Sequence, residues 1–224
     1  MSKKKTIVID TINAIQNDEF LKLSSKANYD DWRDFGVNIQ KFILELQTLG
    51  FECVLILGSV GSGKSYGIKY LPSETNVWFN ADKKNPTWRG GKDQYGTKVT
   101  PNKNHIVATS YKQIINTLQK AVKADRFEDR RYAFIVGHIE HYGTGGKLQR
   151  LKVLGKMATK MQIEGRFENV FYTDVKSDGS GKPEYRLLTY NTGKNTGRTV
   201  EGLFDEKLTI PNNYQAIVEA LDNY

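Results

Sequence analysis

An α/β fold, a mainly parallel sheet flanked by helices with a C-terminal β-hairpin extension, follows from three observations. Apolar runs of strand length alternate with helical stretches over residues 6–136. Each run ends in a polar residue or glycine. One of them, Cys53 to Leu57, passes directly into Gly58-Ser59-Val60-Gly61-Ser62-Gly63-Lys64-Ser65. The alternation is that of parallel β-α-β units, whose ligand sites lie beyond the carboxyl ends of the strands. The eight residues satisfy G-x-x-x-x-G-K-[ST] with a strand before them and apolar-spaced residues, Ile68 and Leu71, after them, which is the context that gives this motif meaning.

The first strand is Thr6 to Ile9, closed by Asp10, and a stretch rich in Asn, Asp and Ser leads from it to a helix over about Tyr29 to Leu49. Trp32, Phe35, Ile39, Phe42, Ile43, Leu46 and Leu49 keep a 3.6-residue period, Asp30, Asp31 and Asp34 sit near the positive helix end, and Gly50 stops it. The loop strand follows, then a short helix closed by Pro72, then strand Asn76 to Asn80 ending in Ala81-Asp82 and a long basic, Gly-containing loop. His105 to Ala108 reads as a strand. Ser110 and Gln113 read as a capping box for a helix carrying Ile114, Ile115, Leu118 and Val122. Strand Tyr132 to Val136 ends in Gly137-His138. Asn169 to Val175 and Glu184 to Tyr190 flank Asp178-Gly179-Ser180-Gly181, a hairpin signal, and Pro211 opens a last helix bearing Tyr214, Ile217, Val218 and Leu221.

With 224 residues and 38% hydrophobic content the chain suits one domain over 1–224. Its one cysteine, Cys53, rules out an internal disulfide and suits a reducing, cytoplasmic setting. No apolar run approaches the length of a signal peptide core or membrane span, so no membrane partner is expected. The net charge of +8 is uneven: acids outnumber bases eight to four from Asp10 to Glu52, whereas His141 to Arg166 holds six bases against Glu164 alone. Such an excess is either a solvated face or the footprint of a polyanion, which makes nucleic acid a candidate partner.

The loop residues carry the most specific chemistry. Gly58, Ser59, Val60, Gly61, Ser62 and Gly63 allow successive backbone N–H groups to surround a phosphate, Lys64 supplies a charge for the β and γ phosphates, and Ser65 can hold Mg²⁺. A nucleoside triphosphate with Mg²⁺ is the expected ligand. Asp10, at the end of an apolar strand, is the expected second metal-side acid, and Asp82, at the end of another, could orient an attacking water or be a turn-forming Asp. His138 is placed to sense the γ-phosphate, although a lone His is more often structural; with Glu140 and His141 it matches no zinc spacing. Lys194 and Arg198, in a Gly-rich turn, could stabilise transferred phosphoryl charge, from a neighbouring subunit, or simply be solvated. Tyr142, Lys147, Arg150, Lys152 and Lys156 are the residues expected to meet a nucleic acid, by stacking and phosphate contacts.

Together, GSVGSGKS, NVWFNADKKNPTWRGG, IVIDTINAIQ, VGHIEHY, the KLQRLKVLGKMATKMQIEGRFENVFYTDV stretch and LTYNTGKNTGRT followed by GLFDE resemble the RecA-like phage ATPases of the single-strand-annealing, recombination-associated group. The resemblance implies a RecA-like core that binds ATP and Mg²⁺, forms homo-oligomers, and works with single-stranded DNA and phage recombination or single-strand-binding proteins in the host cytoplasm. It makes Lys64 and Ser65 the phosphate and Mg²⁺ contacts, Asp10 the Walker B acid, Asp82 the acid after the second core strand, His138 the polar sensor, and Lys194 and Arg198 a basic finger. In this chain, however, IVIDTINAIQ precedes the phosphate loop by about fifty residues rather than following it. Exchanging the block from Asp10 to Ile56 with that from Leu57 to Val136, with junctions inside Ile/Val-rich strands, restores the family order. The chain therefore reads as a permuted or reconnected member, in which binding is a safer expectation than turnover. Two further classes stay open: a non-catalytic module whose ATP orders an oligomer, and a nucleotide or nucleoside kinase with Arg126, Arg130 and Arg131 as its lid.

Overall fold

The computed structural model describes residues 2–23, 27–154, 162–177, 179, 181–204 and 207–224. Among them the strands are β1 (Lys4–Asp10), β2 (Phe51–Gly58), β3 (Asn76–Asn80), β4 (His105–Val107), β5 (Phe127–Tyr142), β6 (Leu148–Leu151), β7 (Asn169–Ser177), β8 (Pro183–Leu188) and β9 (Thr209–Pro211). They join into one sheet in the order β4-β3-β1-β5-β2-β7-β8-β9, with β6 paired to the far half of β5. Pairs from β4 through β7 are parallel, and β7-β8-β9 run antiparallel.

The strands read as continuous apolar runs because both faces of the sheet are covered. Ile7, Ile9, Leu55, Leu57, Phe79 and Ile135 point to one face, where helices α1 (Ile12–Lys22), α2 (Tyr29–Thr48) and α4 (Tyr111–Lys123) pack. Val8, Val54, Ile56, Trp78, Phe134 and Val136 point to the other, under the 3-10 helix Lys64–Tyr70, the short helix α3 (Gly91–Tyr95) and the last helix α5 (Tyr214–Asp222). The crossovers β1 to β2 and β4 to β5 move one way along the sheet over the first face. The crossovers β2 to β3 and β3 to β4 move back over the second. All four therefore share one hand, as parallel crossovers strongly prefer. Cys53 is buried in β2, and burial pushes its thiol up to about 12.

Several expected details are corrected. Helix α1 was not expected, because the positions it buries include Asn13 and Gln16 beside Ile12 and Ile15, which erases an apolar stripe. Strand β5 does not stop at Val136: its parallel pairing with β2 continues to Gly58 opposite His138, and Ile139 to Tyr142 then pair antiparallel with β6. Only half of the capping box at Ser110 forms. The Ser110 hydroxyl accepts from the Gln113 amide N–H, while the Gln113 side chain turns to the Thr109 N–H. Pro211 ends β9 rather than opening the last helix, which is capped by the Asn213 side chain. The segment after the phosphate loop is a 3-10 helix, and the hairpin gains a third strand, β9. Asp178 and Ser180 of the hairpin turn lie outside the described residues. Among the described residues no helix is long and apolar enough to cross a membrane.

Candidate functional site

The carboxyl ends of the parallel strands converge at the loop Gly58–Ser65. Gly61 and Gly63 adopt the left-handed region, with φ of 75° and 81°, which β-carbon sterics reserve largely for glycine. A Cβ at Gly63 would also collide with the ring of Tyr185 in β8. The C-terminal part of the chain holds the loop from behind: the Asn212 side-chain amide donates to the Gly63 carbonyl at 2.7 Å, the Tyr214 hydroxyl to the Lys64 carbonyl at 2.5 Å, and Thr173 to the Ser62 hydroxyl at 2.7 Å. Within the loop, the Ser62 N–H is bonded to the Ser59 carbonyl at 3.3 Å.

Lys64 is buried, and its ammonium donates to the Gly58 carbonyl at 3.0 Å and the Ser59 carbonyl at 2.6 Å. Burial lowers its pKa to about 8, against the opposing pull of Asp10 and Asp82. Asp10 reaches the same place from β1. One strand, β5, separates β1 from β2, and the Ser65 side chain comes close enough to the Asp10 carboxylate to favour its charged form. Desolvation raises Asp10 to about 6, partly offset by Ser65 and Lys64. Its Oδ1 is buried with no hydrogen-bond partner. An unpartnered carboxylate oxygen beside a serine hydroxyl suits a Mg²⁺ ion, which takes one or two protein oxygens and completes its octahedron with water and phosphate. Among the described residues no three His, Cys, Asp or Glu side chains form an all-protein cage.

Asp82 stands next to Asp10, its backbone N–H bonded to the Asp10 carbonyl. Its Oδ1 accepts from the Thr11 hydroxyl at 3.0 Å and its Oδ2 pairs with Lys84 at 2.7 Å. His138 lies level with Gly58 inside β5 rather than after its end. Its backbone N–H donates to the Asn13 side chain, its Nδ1 is buried without a partner, and burial followed by nearby Lys64 lowers its pKa, so the ring is neutral at pH 7. Asp10, Asp82, His138, Lys64 and Ser65 are thus brought together.

Lys194 and Arg198 are placed differently. The Arg198 guanidinium donates to the carbonyls of Glu164 and Phe167 in its own chain, and Lys194 is exposed on the turn, its carbonyl accepting from Gln149. The three arginines considered for a kinase lid, Arg126, Arg130 and Arg131, precede or open β5, at the sheet edge opposite the loop. Arg130 sits over Tyr132, 3.8 Å from Glu52, and Arg131 over Phe51. Arg130 and Arg131 lie within β5 itself, at the end of the sheet away from the loop. On the basic segment, β6 and the end of β5 form an antiparallel arm beyond the phosphate-loop edge. In it the Arg150 guanidinium pairs with Glu140 at 2.6 Å and lies over the Tyr142 ring at 4.6 Å. Lys147 and Lys152 are exposed on that arm, and a cavity of about 450 Å³ lies against Tyr142 and Arg150. Lys156 lies outside the described residues.

Five contributors went unread in the sequence: Thr11, Asn13, Thr173, Tyr185 and Asn212. Thr11 and Asn13 follow Asp10 directly, so their position beside a strand-ending acid was the available signal. Tyr185, in β8, and Asn212, just after β9, reach the loop only after folding. No protein-family model, curated protein or solved structure matches the chain.

Proposed function

We propose that the chain binds ATP with Mg²⁺ in the Gly58–Ser65 loop and hydrolyses it as a RecA-like ATPase acting with single-stranded DNA in phage recombination or replication. The observation that carries this reading is the Asp10–Ser65 contact beside Lys64, reached although Asp10 comes before the loop in the chain. In it, the loop N–H groups and Lys64 hold the β and γ phosphates, and Ser65 and Asp10 hold the metal, which supplies charge neutralisation on the transferred phosphoryl group. Asp82 orients water and accepts its proton as the water oxygen bonds to the γ phosphorus and the bond to the bridging oxygen of ADP breaks. To do so it must first give up its pair with Lys84. Neutral His138 donates to, or accepts from, the γ-phosphate group or its water, and so couples turnover to the adjoining arm. Lys194 carries the proposed contribution across subunits, since Arg198 is engaged within its own chain.

Hydrolysis of Mg-ATP, with and without single-stranded DNA, tests the proposal. DNA-stimulated hydrolysis supports it. Absence of hydrolysis while ATP still raises the melting temperature would favour the non-catalytic module instead, a reading supported by the double engagement of Asp82.

Two further outcomes are expected. Because Lys64 titrates near 8 in the free protein and a bound triphosphate favours its charged form, binding of Mg-ATP at pH 9 takes up close to one proton, and far less at pH 7. Calorimetry in buffers of different ionisation enthalpy measures this; no uptake at pH 9 counts against Lys64 as the phosphate contact. For DNA, Lys147→Ala and Lys152→Ala each lower the slope of log affinity against log salt by roughly one, whereas Arg150→Ala, already paired with Glu140, changes it less. Fluorescence anisotropy with a labelled oligonucleotide across a salt series reads the slopes; unchanged slopes in both lysine variants would remove the arm from the DNA path.

A further inference from the structure

The sheet order gives the bound nucleotide a direction. Asp10, Asp82 and His138 come from β1, from just after β3 and from β5, all on one side of the loop strand β2, while β7 and β8 lie on its other side. With the terminal phosphate drawn toward Asp10 and its metal, the α-phosphate and nucleoside leave toward β7 and β8. Tyr185 of β8 stands there with its ring against Gly63. The ring of Tyr66, the residue after Ser65, lies 5.0 Å from it at an interplanar angle of 40°, and Tyr70 continues the row at 6.0 Å. Lys69 holds its ammonium over the Tyr66 and Tyr70 rings at 3.9 and 4.6 Å and bonds the Tyr66 hydroxyl. Tyr66 and Tyr185 are both part-exposed. Aromatic rings of this kind, clustered beside an anion cradle rather than sunk in the core, offer π-faces to a base.

We infer that the nucleobase stacks on Tyr185 and Tyr66, and that this platform favours a purine over a pyrimidine by its larger ring area. The inference rests on the phosphate-loop reading and adds the part of the ligand that the loop does not contact. Tyr185 also packs against the loop backbone, so the test must separate stacking from loop support. Inorganic tripolyphosphate, which has phosphates and no base, does so.

Calorimetric titration with Mg-ATP, Mg-CTP and Mg-tripolyphosphate is the experiment. Tyr185→Ala is expected to weaken ATP about tenfold, the loss of one base–aromatic stack, and to leave tripolyphosphate within about twofold. Tyr185→Phe keeps the ring and the ATP affinity, Tyr66→Ala weakens ATP in the same selective way, and the unaltered chain prefers ATP to CTP. Equal weakening of ATP and tripolyphosphate in Tyr185→Ala would make Tyr185 a support of the loop and overturn the stacking, as would ATP affinity unchanged in both alanine variants. Binding of tripolyphosphate with equal affinity for ATP and CTP would overturn the purine preference alone. Failure of the unaltered chain to bind either ATP or tripolyphosphate would overturn the phosphate-loop reading itself, and the platform with it.

Discussion

Lys64→Ala is expected to lower affinity for Mg-ATP at least about a hundredfold and to abolish hydrolysis, with the fold retained. Hydrogen bonds to charged groups contribute about 1.5–3 kcal/mol each, and Lys64 is the cation the loop itself provides for two phosphates. In the free chain its ammonium is satisfied by the Gly58 and Ser59 carbonyls, which on the proposed function it would exchange for phosphate oxygens. Burial disfavours its charged form, as the downward shift to about 8 records, so its removal relieves desolvation while leaving two carbonyls to find water. Stability should therefore change little. The decisive readings are the ATP-induced rise in melting temperature, lost in the variant, and a melting temperature without ATP close to that of the unaltered chain. ATP affinity within threefold of the unaltered chain would sink the loop as the nucleotide site.

Asp10→Asn is expected to separate binding from turnover. The amide keeps the shape and can still meet Ser65, but it no longer supplies a carboxylate to the metal, so hydrolysis should fall by about a hundredfold or more while ATP affinity falls less than tenfold. The same change should raise stability at neutral pH. Asp10 is fully buried and its pKa is raised from 3.8 to about 6, so ionising it works against the folded state. The sign follows from protons: between pH 3.8 and 6 the folded chain holds a proton on Asp10 that the unfolded chain has lost, so stability from this group declines as pH rises through that window. Above about pH 6 the full cost is present, on the order of 3 kcal/mol, and the asparagine escapes most of it. The melting temperature of Asp10→Asn should exceed that of the unaltered chain at pH 7.5 and the difference should shrink toward pH 4. Equal loss of ATP binding and hydrolysis would argue against a metal role, and a lower melting temperature at pH 7.5 would show that the amide cannot be accommodated.

These two residues also show how differently a site can be written into a chain. The glycine loop carrying Lys64 and Ser65 was legible because it is local: eight consecutive residues form it, and the apolar run before them aims it. Asp10 was legible as an acid ending a strand, and Asp82 and His138 as polar residues at the same edge, but nothing in the order of the chain said which strands would be neighbours. Helix α1 was hidden for a related reason. Its buried Asn13 bonds the His138 N–H and the Lys152 carbonyl, and its Gln16 accepts from the Leu154 N–H. A helix whose buried face is partly polar carries no apolar period to read. Arg198 looked like a free cation and proved to be engaged with two carbonyls, a contact between segments distant in sequence.

Sequence alone determined the class of the fold and the glycine-lined loop, because strand alternation, helix periodicity and glycine placement depend on neighbours within a few residues. Tertiary structure alone decided that β5 lies between β1 and β2, that Asp10 meets Ser65 despite preceding it, and that Tyr185, Asn212 and Tyr214 close around the loop. Buried strands of Ile, Val and Leu are chemically interchangeable, so their order in the sheet is set by packing on both faces and by the hand of the crossovers, neither of which a linear pattern contains.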